Sequence, residues 1–159
     1  GPQIAIGYMR EDGSIDRIRD KRIKTGDLAV MDADGFVRVT GRTKEVIIRG
    51  GINISPQEID EVLLAHAQVT EAAAVGVPDP IYGEEIVCYV SLRPGGKLDG
   101  DGILAYCRTR LPPPKVPKHV VVVSELPKSD RGKVLRDRLR ADWCRRMEAG
   151  EKVAARNQR

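Results

Sequence analysis

Four short stretches put residues with binding or catalytic chemistry beside glycine. Thr25-Gly26-Asp27 stands at the start of a strand, where an aspartate can accept two hydrogen bonds from a ribose diol. A plain turn aspartate has the same pattern. Gly41-Arg42-Thr43-Lys44-Glu45 could set an arginine against a nucleotide and leave a charged, exposed residue to act as a hinge, or form an ordinary charged hairpin turn. Arg49-Gly50-Gly51, followed by Asn53, lets backbone approach a ligand closely, though glycine pairs also simply make turns. It lacks the GxxxxGK[ST] spacing and is not a Walker phosphate loop. Ser129-Asp130-Arg131-Gly132-Lys133 ends on a compact, mobile point charge suited to phosphate or carboxylate oxygens. A basic loop leading into a basic helix reads the same.

The elements that must carry these residues follow from patterning. Turn signals at Glu11-Asp12-Gly13-Ser14 and Asp32-Ala33-Asp34-Gly35 separate short strands in the first 41 residues, with Leu28–Met31 and Phe36–Thr40 forming a hairpin. Val46-Ile47-Ile48 is a short strand. Ser55, Pro56 and Glu58 make a capping box that opens a helix carrying Ile59, Val62 and Leu63 and ending near His66. Ala72–Val77 and Ile86–Leu92 are strands joined by a loop. Ile103, Leu104, Cys107 and Leu111 line a second helix, stopped by Pro112-Pro113-Pro114. Val120–Val123 is a buried strand, and Leu135, Leu139, Trp143 and Met147 line a third helix. The polar tail after Gly150 is expected to be disordered.

Composition narrows the function classes. The chain has 159 residues, 41% hydrophobic and 31% charged, enough for a core without disulfides or metal. Aromatics are only 4%, which argues against a base-stacking platform. No apolar run approaches the roughly 20 residues that span a bilayer, and no signal peptide is expected. Cys88, Cys107 and Cys144 show no CxxC spacing, and His66 and His119 no metal-ligand pattern. No metal site is expected from them, and the chain reads as a reduced, cytoplasmic protein. Residues 1–100 carry a net charge of −4 and residues 101–159 a net charge of +8. The basic third suits an anionic partner or a solvated helix face. Asp137 and Asp142 interrupt that face, so nucleic-acid binding ranks last.

Taken in order and spacing, these stretches are specific. Thr25-Gly26-Asp27, Gly41-Arg42-x-Lys44-Glu45, Gly50-Gly51-x-Asn53-Ile54-Ser55-Pro56-x-Glu58-Ile59, Val75-Gly76-Val77-Pro78-Asp79, Gly83-Glu84, Lys115-Val116-Pro117, Leu126-Pro127-Lys128 and Gly132-Lys133-Val134-Leu135-Arg136 closely resemble the C-terminal end of the adenylate-forming (AMP-binding) enzymes, most of all the acyl-CoA synthetases. The resemblance runs to about residue 143 and includes Gly1-Pro2-Gln3…Gly7-Tyr8. It implies an α+β fold: a small mixed sheet covered by helices, preceded by a short all-β segment. Residues 1–43 would be a β-strand remnant of a large N-terminal adenylation domain, 44–148 the mobile C-terminal domain, and 149–159 a polar tail.

The resemblance also implies a two-step reaction. A carboxylic acid attacks the α-phosphate of ATP, with Mg2+ as cofactor, giving an acyl-adenylate and pyrophosphate; the thiol of CoA then displaces AMP. By carry-over, Asp27 binds the ribose hydroxyls, Arg42 assists at the ribose or phosphates, and Lys44 is the hinge. Lys133 is the catalytic lysine of adenylation, Gly50 and Gly51 lie along the pantetheine arm, and Arg108 contacts a CoA phosphate. The family's phosphate loop, its Tyr-Gly-x-Thr-Glu segment and its acyl pocket do not occur in these 159 residues. The chain alone is therefore expected to be inactive and to need the missing N-terminal adenylation domain as partner. The alternative is a stand-alone, non-enzymatic module of this fold that docks on a separate adenylating partner.

Overall fold

A computed structural model describes residues 6–18, 24–151 and 153–155. Gly1-Pro2-Gln3 and residues 156–159 lie outside them. The fold is α+β, with ten strands and three helices among the described residues. Its centre is a long antiparallel hairpin, β7 (Val69–Asp79) and β8 (Gly83–Leu92), in register from Val69↔Leu92 to Asp79↔Gly83. Both strands outrun the expected 72–77 and 86–92, because the turn between them is tight. The Asp79 carboxylate accepts the N–H groups of Ile81 (2.9 Å) and Tyr82 (3.0 Å), and Gly83 takes φ +78°. Asp79 also meets Lys118 Nζ at 3.0 Å. Pro78 is tolerated in β7 because, among the described residues, β7 pairs only with β8 and is an edge strand.

Along β8 run β9 (His119–Val123), parallel from Val87↔His119 to Ser91↔Val123, and β5 (Ile47–Arg49), which joins at Arg49↔Gly83. β5 forms a two-residue hairpin with β6 (Ile52–Ile54). The short β10 (Ala154–Ala155) pairs antiparallel with β9, so the described part of the tail adds a strand instead of the expected disorder. Strands of two or three residues such as β6 and β10 carry no period that sequence alone can register.

Both faces of this sheet are covered, which is why β8 reads as a continuous apolar run. Ile86, Cys88 and Val90 pack with Ile59 and Leu63 of α1 (Pro56–Leu64) and with Ile103, Leu104 and Cys107 of α2 (Gly100–Arg108). Val87 and Tyr89 point the other way, onto Leu139 and Trp143 of α3 (Arg136–Glu148). Of the expected α3 stripe, Met147 is exposed. Cys88 and Cys107 are small core residues; burial pushes the Cys107 thiol up to about 11. Asp99 caps α2 by accepting Gly102 N–H at 2.8 Å, and α2 ends before the proline run, whose Pro113–Lys115 form a 3-10 turn.

The capping box at α1 does not form. The Ser55 hydroxyl donates to the Thr40 carbonyl at 2.6 Å, and Glu58 pairs with Lys115. The hydroxyl ties the ribbon preceding α1 to the helix start. It also explains Gly41, where a Cβ would come within 2.9 Å of Ser55 Oγ. Two antiparallel ribbons stand apart from the six-stranded sheet: β1 (Gly7–Met9) with β2 (Ile15–Arg17), and β3 (Asp27–Met31) with β4 (Val37–Arg42). They leave Tyr8, Met9, Val30, Met31, Phe36 and Val39 exposed. Apolar exposure on this scale marks a surface that expects a partner. Among the described residues no helix is long and apolar enough to cross a membrane.

Asp79 gives the hairpin a pH signature. The Tyr82 amide and then Lys118 hold its carboxyl at about 2, below the ordinary value of 3.8. A depressed acid stabilises the fold above its unfolded pKa and loses that contribution as pH falls through the folded one. In thermal melts, native chain and Asp79→Asn are expected to differ most above pH 4 and to converge toward pH 2.

Candidate active-site cleft

Two chain segments far apart in sequence form a cleft of about 310 Å³. The first is the turn after β4. Thr43 donates both its amide (2.7 Å) and its hydroxyl (3.0 Å) to the Gly26 carbonyl, and the Glu45 amide donates to the Arg42 carbonyl at 2.9 Å. Asp27 and Arg42 face each other across β3 and β4, with Arg42 Nε 3.1 Å from Asp27 Oδ1. The second segment is the loop before α3. Lys128 and Val134 bridge, Ser129 N–H donates to the Lys133 carbonyl at 2.8 Å, and Gly132 takes φ +76°, where only glycine is unstrained. That turn presents the Lys133 ammonium to the cleft.

Thr25, Gly26, Arg42, Lys44, Glu45, Lys133, Arg136, Asp137 and Arg140 line the cavity. Its five cations against two carboxylates suit an anionic ligand. Lys133 Nζ lies 3.1 Å from Glu45 Oε1, and Arg136 lies 3.4 Å from Glu45 Oε2. Behind them sits a buried node. The Arg136 guanidinium pairs closely with Asp60 and donates to the Ala74 carbonyl at 3.2 Å; Asp60 in turn accepts the Ala74 amide at 2.6 Å. Arg140 donates to the Gly76 carbonyl at 3.1 Å and pairs with Asp137. Burial pushes the Asp60 carboxyl up to about 6, opposed by Arg136 and by the Ala74 amide. Both carboxylates of the cleft are taken up by cations, and the described residues hold no group of three His, Cys, Asp or Glu able to bind a metal. They do not offer a ligand set for Mg2+.

The structure therefore brings together Lys133, Arg42 and Lys44, with Asp27 reaching the cleft through Arg42. Gly50, Gly51 and Arg108 lie elsewhere. The two glycines, at φ +56° and +79°, form the tip of the β5–β6 hairpin, and the Gly50 amide donates to the Tyr82 carbonyl at 2.8 Å. A two-residue hairpin with both φ positive requires such residues whatever else they do. Beside them a second buried pair, Arg49 Nε to Glu85 Oε1 at 2.6 Å, ties β5 to β8, with Arg49 also donating to the Pro114 carbonyl. Arg108 is exposed in the last turn of α2, where a cation favours the helix dipole.

Glu45, Asp60, Arg136 and Arg140 escaped the sequence reading as a unit. The one available signal was Asp60, a carboxylate on the same helical face as Pro56 and Leu63.

Residues 58–133 match the family model of the AMP-binding enzyme C-terminal domain. A sulfoacetate–CoA ligase of Cupriavidus necator is 51% identical over 142 residues, covering 87% of this chain and 28% of the relative. A long-chain-fatty-acid–CoA ligase of Salmonella typhimurium is 44% identical over 141 residues, with 88% and 25% covered. ATP-bound MatB from Rhodopseudomonas palustris superimposes with a TM-score of 0.71 at 33% identity, over 85% of this chain and 25% of that one. An o-succinylbenzoate CoA synthetase of Bacillus subtilis, in complex with its acyl-adenylate intermediate, gives 0.69 at 34% identity, over 82% and 25%. The chain thus spans about a quarter of the length of these relatives.

Removing one member of a buried ion pair strands the other at a cost of about 3–5 kcal/mol, whereas exposed pairs contribute about 0–1 kcal/mol. Arg136→Met should lower the unfolding free energy by about 3 kcal/mol in urea titrations. Arg145→Met, which breaks an exposed pair with Asp142, should change it by less than about 1 kcal/mol.

Proposed function

Residues 58–133 match the family model of the AMP-binding enzyme C-terminal domain, and from that premise we propose that the chain is the C-terminal part of an AMP-forming acyl-CoA synthetase. In this reading ATP and a carboxylic acid form an acyl-adenylate with loss of pyrophosphate. CoA thiol then attacks the acyl carbon and AMP leaves. One observation carries the proposal: Lys133, on a turn fixed by Gly132, faces the same cation-lined cleft as Arg42 and Lys44. An ammonium aimed at a pentavalent phosphorus stabilises charge that peaks in the transition state, so it accelerates the step more than it tightens substrate binding.

The other assignments are part of the same proposal. Asp27 and Arg42 would serve the ribose and phosphates, and Lys44, between the ribbon and the sheet, would be the pivot. Gly50 and Gly51 would run along the pantetheine arm, and Arg108 would meet a CoA phosphate. Mg2+ would arrive with the phosphates of ATP. The exposed apolar faces of β1–β4 support a large partner domain that carries the acyl pocket. They would equally be covered by a separate adenylating subunit, and the natural length of the protein decides between the two.

The chain alone is expected to release no pyrophosphate from ATP and a carboxylic acid. In the complete enzyme, Lys133→Gln should slow adenylation by at least about 100-fold, as loss of a charge-stabilising donor does. Thioester formation from supplied acyl-adenylate should stay within a few-fold of native. Separate assays of the two half-reactions check this, and equal loss in both would remove Lys133 from its assigned step.

A further inference from the structure

The anion-suited cleft contains a carboxylate whose two oxygens do different things. Oε2 of Glu45 faces Arg136 at 3.4 Å, and Oε1 faces Lys133 Nζ at 3.1 Å. The Arg136 side chain is 12% exposed and is fixed from behind by Asp60 and the Ala74 carbonyl. Glu45 is 17% exposed, whereas Lys133 is 55% exposed and sits on a glycine-turned loop. One side of the carboxylate is thus anchored in the protein, and the other meets a lysine that solvent can reach. An exposed pair of this kind contributes about 0–1 kcal/mol, so Lys133 is held but not locked. An incoming anion finds the lysine already engaged and a like charge beside it.

We infer that Glu45 is a built-in competitor for Lys133, an internal carboxylate that occupies the ammonium until an anionic ligand displaces it. The inference rests on the reading of Lys133 as the phosphate-facing lysine and adds the group that regulates its availability. Because Glu45 directly follows Lys44, the competitor rides on the same turn as the proposed pivot.

The test is titration of the 159-residue chain with inorganic pyrophosphate at low ionic strength, followed through the amide resonances of Lys133 and Glu45. Native chain, Glu45→Gln, Lys133→Gln and the double variant are compared. Loss of the pair is expected to tighten binding about three- to tenfold in Glu45→Gln, the upper part coming from removal of the repelling charge. Relative to Lys133→Gln, the double variant should tighten less than Glu45→Gln does relative to native, because only the repulsion and not the competition is relieved; equal tightening in the two backgrounds overturns the competitor role. Unchanged or weaker binding by Glu45→Gln, with binding weakened by Lys133→Gln, overturns the competitor role and leaves the reading of Lys133 standing. Native affinity in Lys133→Gln, or no saturable shift in any variant, overturns that reading and the inference with it. If thermal melting shows Glu45→Gln unfolded, Glu45→Asp replaces it, since its shorter arm cannot bridge both partners. Tightening of about twofold or more then supports the inference, and none overturns it.

Discussion

The outer edge of β7 is where this architecture is decided. An edge strand with bare amides and carbonyls invites pairing with another chain. Here helix side chains stand in for the absent neighbour: Asp60 of α1 takes the Ala74 amide, Arg136 of α3 takes the Ala74 carbonyl, and Arg140 takes the Gly76 carbonyl. The two helices lie on opposite faces of the sheet, and the Asp60–Arg136 pair closes over the edge between them. One buried contact therefore terminates the sheet, links the two cores, and sets the first turn of α3 from which the Lys133 loop departs.

Such a contact is costly unless every partner is satisfied. Burial acts against the Asp60 charge, and only the guanidinium and the Ala74 amide offset it. The same guanidinium reaches forward to Glu45. The polar network thus runs without a break from a strand edge to a solvent-facing ammonium, and the geometry of the cleft inherits its rigidity from the sheet.

The sequence was most legible where chemistry is local. Gly132 before Lys133, Pro56 at the first position of α1 and the apolar run of β8 each announce their role within a few residues, and the structure shows the elements they head or fill. Legibility failed where the partner is remote. Asp60 and Arg136 lie 76 residues apart, and Glu45 and Lys133 lie 88 apart, so no periodicity joins them. Ser55 looked like a cap because its neighbours fit one, yet a carbonyl 15 residues upstream captured the hydroxyl. Gly50 and Gly51 show the opposite ambiguity: their turn explains them completely, whatever ligand they also approach.

Two of the hydrogen bonds described above cross Lys44: Ser55 hydroxyl to Thr40 carbonyl, and Glu45 amide to Arg42 carbonyl. Both are neutral, and such bonds contribute about 1 kcal/mol each. The charged contacts stay on one side or the other, Asp27 with Arg42 before Lys44 and Glu45 with Lys133 and Arg136 after it. A swivel at that residue would break weak, easily remade bonds and would part none of the ion pairs described above. On the proposal that Lys44 is the pivot, such a joint would be cheap to turn and would keep its charge pairing on both sides.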